Sequence, residues 1–329
     1  MVRYDERVIL ELKARELCYQ KIKWILYALN KKLMCSKYRH IAIIFHYYTW
    51  LIKIEFINYC LDENIDMYVS QLLNYPVKSC RGNQLSEMEI DSFGPKWDRR
   101  WMLVDCDGRF VTQRQIAEMG QIGVAISSEI IRFYYHSEHM ELSLIEAQGH
   151  KDERLVTVWQ DQVKGNRIDH PVNDWISDKL GKKVQLVYMP QETIRQVDLE
   201  YAQFGDRVGF ADGFPFLILS EASVQFLSEK VGYSLDVRRF RPNIVISGCE
   251  AFTEDTWQQI QIGEIVFDLV KPCSRCVIPT IDLNTSQKQP EVMQAMLAYR
   301  KQGNKVMMGQ NALHRGEGII RVGEEVKIL

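Results

Sequence analysis

The twelve residues Lys271-Pro-Cys-Ser-Arg-Cys-Val-Ile-Pro-Thr-Ile-Asp282 hold two thiols, two cations and two prolines, directly after a strand-like run from Glu264 to Val270. Thiolate is the form that attacks electrophiles and binds metals, and a neighbouring Lys or Arg raises its fraction. Arg275 stands immediately before Cys276, and Lys271 lies just upstream. Pro272 and Pro279 stiffen the segment and keep it out of a regular helix. The expectation is a rigid, electropositive loop that presents a soft sulfur ligand.

Several chemistries compete for a Cys-x-x-Cys pair. Zinc needs two further ligands at suitable spacing. Cys249 supplies one, but none of the seven histidines lies between residues 171 and 313. A thioredoxin-like pair opens a helix, which the flanking prolines oppose. A plant-type iron–sulfur cluster needs C-x₄-C-x₂-C, and no cysteine follows Cys276. Two thiols packed in a loop with no chemistry stand level with a functional pair, because free cysteine commonly behaves as a small buried hydrophobe. Cations elsewhere tilt that balance. Tyr75-Pro-Val-Lys-Ser-Cys-Arg-Gly82 offers Lys78, Ser79 and Arg81 after a strand. Asp98-Arg-Arg-Trp101 adds Arg99 and Arg100, and Phe240-Arg-Pro-Asn243 adds Arg241 and Asn243 at the mouth of another strand. Arg matches phosphate through its planar fork, and Lys does so as a point charge. A soft thiolate beside an anion-binding group is what a phosphorylated, metal-bearing cofactor requires.

The elements that must position these residues are mostly strands. Of the 329 residues 46% are hydrophobic, enough for a sizeable core and about two domains. The net charge of -2 argues against a general nucleic-acid binder. Eight scattered cysteines favour a reducing compartment, and a cytoplasmic location. All 19 glycines and 9 prolines lie after Asp66, and residues 1–66 carry 11 Lys/Arg against 8 Asp/Glu. A folded region needs turn formers, so residues 1–66 read as a helical or poorly ordered extension, and the expectation is that it is unrelated to the fold and that Met67 opens the functional protein. The apolar run from Ile41 is broken by Lys53 and Glu55, which argues against a membrane anchor.

From residue 67 strands are expected at 68–75, 100–104, 121–126, 130–135, 154–159 and 184–188, with 105–108 a hairpin turn and 110–112 its return strand. Residues 169–181 read as a helix capped by Asp169 and closed by Gly181. Further strands fall at 216–219, 243–246, 318–323 and 325–328. Helices follow Ser220 as cap and Pro290 as opener. The fold class is α+β and β-rich. A β-barrel-like domain at 67–188 precedes a mixed, mostly β domain with a few helices at 189–329.

Five blocks in order, Tyr-Pro-Val-Lys-Ser-Cys-Arg-Gly, Asp-Arg-Arg-Trp-Met-Leu-Val, Val-Thr-Gln-Arg-Gln, Phe-Arg-Pro-Asn-Ile-Val-Ile-Ser-Gly-Cys and Cys-Ser-Arg-Cys-Val-Ile-Pro-Thr-Ile-Asp, resemble the MOSC-domain family, nearest its amidoxime-reducing branch with an N-terminal β-barrel domain. The resemblance runs from Met67 to Leu329. It implies a molybdenum–molybdopterin cofactor with Cys276 as the metal ligand and catalytic centre. Lys78, Ser79, Arg99, Arg241, Asn243, Ser274 and Arg275 are implied as cofactor contacts, with Gln310 and Asn311 on a late loop, where Asn311 replaces an aromatic residue of relatives. The implied reaction reduces N-hydroxylated bases, amidoximes and hydroxylamines to amines, amidines or bases. Some relatives append a ferredoxin domain, so electrons here are expected from a separate flavin or iron–sulfur protein, with no cluster in this chain. Small N-hydroxylated substrates are the expected partners, with no nucleic acid and no membrane. Sulfur transfer through a Cys276 persulfide and a non-catalytic carrier of the cofactor remain alternatives.

Overall fold

The strand Tyr68–Asn74 buries Val69, Leu72 and Leu73. It pairs antiparallel with Ile244–Ser247 on one side and Asn83–Leu85 on the other. The first strand after residue 67 is therefore built into a sheet whose other long members come from the second half of the chain. The computed structural model describes residues 67–149 and 152–329. The expectation for residues 1–66 lies outside the described residues. Residues 67–329 fall within one compact unit.

Across the large sheet the strands run Val326–Ile328, Gln259–Ile262, Ile265–Ser274, Lys305–Arg315, Phe216–Ser220, Ile244–Ser247, Tyr68–Asn74 and Asn83–Leu85, with Lys301–Gln302 paired off this path. Phe216–Ser220 and Ile244–Ser247 are parallel, so the chain crosses over between them through the helix Glu221–Val231. Ser220 caps that helix by accepting from the Ser223 N–H, and Gly232 ends it at φ 84°, as expected. Alternation along the strands divides the apolar residues between two faces. Leu219 and Met308 pack with Val224, Leu227, Val292 and Met296 of Glu221–Val231 and Pro290–Arg300. Ile218, Ile244, Ile260 and Phe267 pack instead with Leu72, Met88, Ile90 and Ile320. The last three belong to the small sheet that joins Gly318–Arg321 to Glu87–Asp91 and Gly94–Pro95.

Residues 77–188 enclose a separate core that includes Trp101, Phe133, Ile176 and Leu186. Two antiparallel sheets surround it. One runs Trp101–Val104, Gln185–Tyr188, Asp161–Arg167, Glu153–Val158, and the other Gly123–Ile126, Ile130–Tyr135, Glu138–Ser143. This is the β-rich, barrel-like half followed by a mixed half that composition and spacing suggest.

Four local expectations change. The helix Val172–Leu180 has no side-chain cap from Asp169; Pro171 occupies the cap position, and His170 Nδ1 accepts from the Val172 N–H at 3.1 Å. The return arm at 110–112 is one bridge, Val104 to Phe110, rather than a strand. The strand Ile265–Ser274 continues through Pro272 into the cysteine segment, so only its far part is a loop. Pro272 is tolerated because the pairing with Lys305–Arg315 is irregular on both sides of it. Gln310 and Asn311 stand inside the strand Lys305–Arg315, not on a late loop. No helix among the described residues is long and apolar enough to cross a membrane.

Candidate functional site

Tyr75 organises the cations. Its backbone N–H donates to Asp98 Oδ1 at 2.7 Å and its carbonyl accepts from the Arg99 N–H at 2.8 Å. Two guanidinium groups lie against its ring, Arg99 at 4.3 Å and Arg241 at 4.2 Å from the centroid. Attraction to the π-system lets two like charges share one site. Gly82 is required here, because a Cβ would stand 2.2 Å from the Tyr75 ring. Asp98 supplies the counter-charge to Arg99 at 2.5 Å; burial nevertheless pushes its carboxyl up from the ordinary value. The Arg99 carbonyl accepts from the Phe210 N–H at 2.7 Å, so both backbone groups of Arg99 are committed while φ is 46°. Gly209 permits this contact, since a Cβ there would meet the Arg99 carbonyl at 2.8 Å.

Asn243 joins three strands to this centre. Its Oδ1 accepts from Arg99 Nη1 and from the Leu217 N–H, both at 3.2 Å, and its Nδ2 donates to the Leu73 carbonyl at 3.2 Å. Arg99 Nη2 reaches the Arg241 carbonyl at 3.1 Å, and Arg241 Nη1 donates to the Cys80 carbonyl at 2.8 Å. Burial, with Arg99 alongside, pushes the Arg241 guanidinium down to about 10. Arg275 follows the end of its strand, where its Nε and Nη1 donate to the carbonyls of Met308 and Phe240 at 2.8 and 2.9 Å. One nitrogen of each guanidinium, Arg241 Nη2 and Arg275 Nη2, is buried with no hydrogen-bond partner.

Arg99, Arg241, Asn243 and Arg275 line one cleft with Lys78, Ser79, Cys273, Ser274, Cys276 and Asn311. Nine of the ten residues expected at a cofactor site thus come together from five separate stretches of chain. Gln310 does not: it is buried and donates through Nε2 to Asp255 Oδ1 at 2.7 Å, away from the cleft. Arg100, next to Arg99, also turns away, donating to Met189 O and Tyr188 Oη. Ser79, Arg99 and Arg241 have positive φ of 69°, 46° and 57°. Such backbone strain costs on the order of 1–3 kcal/mol per residue and collects at functional sites.

Thr112 and Arg114 of the Val-Thr-Gln-Arg-Gln block also line the cleft, as does the segment Ala211–Phe214, which no motif in the sequence marks. Lys78 Nζ donates to the Phe210 carbonyl at 2.7 Å and pairs with Asp212 at 2.5 Å. Burial lowers the Lys78 ammonium to about 8, against the pull of Asp212. The setting of Asp212 opposes its ionisation, but the charge and hydrogen bond of Lys78 and a bond from Trp159 hold its carboxyl well below the usual range. Both thiols line the cleft half-buried and unpaired; burial raises the Cys273 thiol above its ordinary value. Among the described residues no group of three or more His, Cys, Asp or Glu side chains is arranged to hold a metal ion.

Comparison with known proteins follows the same division. Residues 66–183 match the MOSC N-terminal beta barrel domain and residues 205–327 the MOSC domain. Human mitochondrial amidoxime-reducing component 1 is 30% identical over 282 residues, covering 79% of this chain and 82% of its own. The Danio rerio protein of the same name is 32% identical over 277 residues, covering 78% and 83%. Molybdenum cofactor sulfurase of Oryza sativa subsp. japonica is 28% identical over 267 residues, 74% of this chain, which spans only 32% of that protein's length. The chain belongs to the MOSC-domain family, among the members that pair a MOSC domain with the MOSC N-terminal β-barrel domain.

Proposed function

We propose that the cleft holds a molybdenum–molybdopterin cofactor and that the chain reduces N-hydroxylated compounds, amidoximes, hydroxylamines and N-hydroxy bases, to the corresponding amines, amidines or bases. The carrying observation is the pair of buried, unpartnered guanidinium nitrogens, Arg241 Nη2 and Arg275 Nη2, in the same cleft as Cys276. A buried donor left unpaired costs about 1–3 kcal/mol, and an anionic group such as a phosphate in the cleft offsets the positive charge of both guanidinium groups. Cys276 offers the soft sulfur that such a metal prefers. The described residues lack a bare-ion cluster around it, so the remaining donors suit a cofactor that brings its own. Names of relatives that include "amidoxime-reducing component" and "molybdenum cofactor sulfurase" support the same reading.

When bound, the cofactor supplies two-electron cleavage of an N–O bond, a reaction that consumes two electrons and two protons and releases water. Arg241, Arg275 and Arg99 neutralise and orient the anionic end. Lys78 Nζ keeps a positive charge in the cleft at neutral pH and, through Phe210 and Asp212, fixes the segment across from the cysteines. Asn243 holds Arg99 in place, its own polar atoms already engaged. Ser79, Ser274 and Asn311 line the remaining wall. Electrons come from a separate donor protein.

The test is turnover of an amidoxime by protein from a cofactor-competent host, with reduced viologen as donor. Reduction that requires bound molybdenum upholds the reading. Molybdenum without turnover indicates a carrier, and a labile sulfur on Cys276 without molybdenum indicates sulfur transfer.

A further inference from the structure

The block Val111-Thr-Gln-Arg-Gln115 has no part in the set of cations around Tyr75, yet it builds a wall shared by the cleft and a second groove. Gln115 Oε1 accepts from the Thr112 N–H at 2.9 Å, and the N–H groups of Gln115 and Ile116 donate to the Thr112 carbonyl at 2.9 and 3.0 Å. This closed turn presents Arg114. Among the described residues Arg114 has no hydrogen-bond or ion-pair partner; its guanidinium lies 4.4 Å over the ring of Trp159. Trp159 is itself unusual. It is 46% exposed, its φ is 57°, and its Nε1–H donates to Asp212 Oδ1 at 3.1 Å. Its ring lies 5.3 Å from that of Phe110.

Thr112 and Arg114 line both spaces, so the groove, about 630 Å³, adjoins the cleft that contains Cys276. Its size is that of a small-molecule site. A half-exposed indole held in a strained backbone by a tie to the cleft, with the Arg114 guanidinium stacked on it in the field of Asp212, presents a flat apolar surface beside a polar edge that Arg109 and Asp105 share. The indole face accepts a flat ring, and the guanidinium fork accepts a carboxylate or phosphate.

We propose that the groove walled by Phe110, Arg114 and Trp159 is a specificity subsite that receives the non-reacting end of the substrate and selects a flat ring bearing an anionic substituent. This inference rests on the reductase reading of the adjoining cleft. It concerns how substrates are ranked, not whether the N–O bond is cut.

The experiment compares acetamidoxime, benzamidoxime and 4-carboxybenzamidoxime as substrates of the molybdenum-loaded protein, with reduced viologen as donor, for the wild type, Arg114→Gln, Arg114→Lys and Trp159→Leu. The wild type is expected to rank them in that rising order of kcat/KM. Arg114→Gln should cut the advantage of the carboxylate over the plain ring about fivefold, an exposure-discounted ion pair, and Arg114→Lys should restore part of it. Trp159→Leu should cut the advantage of the plain ring over acetamidoxime about fivefold. Calorimetry with 4-carboxybenzamidoxime and no electron donor should show the same order of weakening. Substrate ratios unchanged in both Gln and Leu variants, or a wild type that favours acetamidoxime, overturns the subsite while leaving the reductase reading intact. If no amidoxime is reduced, the reductase reading fails, and calorimetry then decides the groove alone: binding weakened by both substitutions upholds it, and binding indifferent to them overturns it.

Discussion

Asn311 and Gln310 are neighbours on one strand and serve opposite ends. Asn311 lines the cleft with Arg241 and Arg275, whose guanidinium groups each keep one buried nitrogen unpartnered. Gln310 joins a second, part-buried polar group, in which Arg300 pairs with Asp255 at 2.5 Å, Gln310 donates to the same carboxylate, and Arg300 Nε donates to the Met307 carbonyl at 3.0 Å. The two regions have similar residue types, although Asp255 is open to solvent and Asp98 is buried. In the Asp255 region the charge is matched within the chain; in the cleft it is left over. Matched charge serves the fold, and leftover charge awaits a ligand of opposite sign.

The sharpest way to break this contrast is to delete one arginine from each region. Arg300→Met should destabilise the protein by about 1–2 kcal/mol in urea unfolding, because Asp255, open to solvent, loses its counter-charge and the Met307 carbonyl loses a donor. Molybdenum retained per folded molecule should stay near the wild-type level. Arg241→Met should do the reverse, lowering cofactor retention about 100-fold through loss of a charge-assisted contact while leaving thermal stability equal or higher. Similar outcomes for the two variants would erase the distinction.

The pH dependence of anion binding refines the cleft side. Lys78 has a folded pKa lowered to about 8, so it is charged below that value and neutral above it. Affinity for sulfate, which does not titrate in this range, should fall about tenfold from about pH 7 to about pH 9, and Lys78→Met should flatten the curve. The stability contribution has the opposite sign. The unfolded chain keeps this proton until its ordinary lysine value near 10.5, so between about 8 and 10.5 the unfolded state binds more protons and stability rises with pH. The smallest effect is at Tyr75, whose hydroxyl is buried without a partner. Tyr75→Phe should raise stability by about 1 kcal/mol in a thermal melt, since the ring against Arg99 and Arg241 is kept.

Much of the cleft was legible because its residues sit in short blocks at strand ends, where side-chain type and turn chemistry are local properties. Lys78, Arg99, Arg241 and Cys276 could be named this way, as could the strands on either side. Three things could not. The placement of Tyr68–Asn74 beside Ile244–Ser247 depends on pairing between residues far apart in sequence. Pro272 suggested a loop, but its missing N–H matters little where the ladder is already irregular. Which face Gln310 takes depends on the register of Lys305–Arg315, and Asp212 is tied to Lys78 and Trp159 only by the fold.

The central claim is that the unmatched positive charge beside Cys276 is the seat of a molybdenum cofactor. Its most direct test is elemental analysis of wild type and Cys276→Ser purified in parallel from a host able to make that cofactor. Near-stoichiometric molybdenum in the wild type and little in the variant is the expected result. Wild-type protein without molybdenum, or a variant that retains it undiminished, would contradict the account.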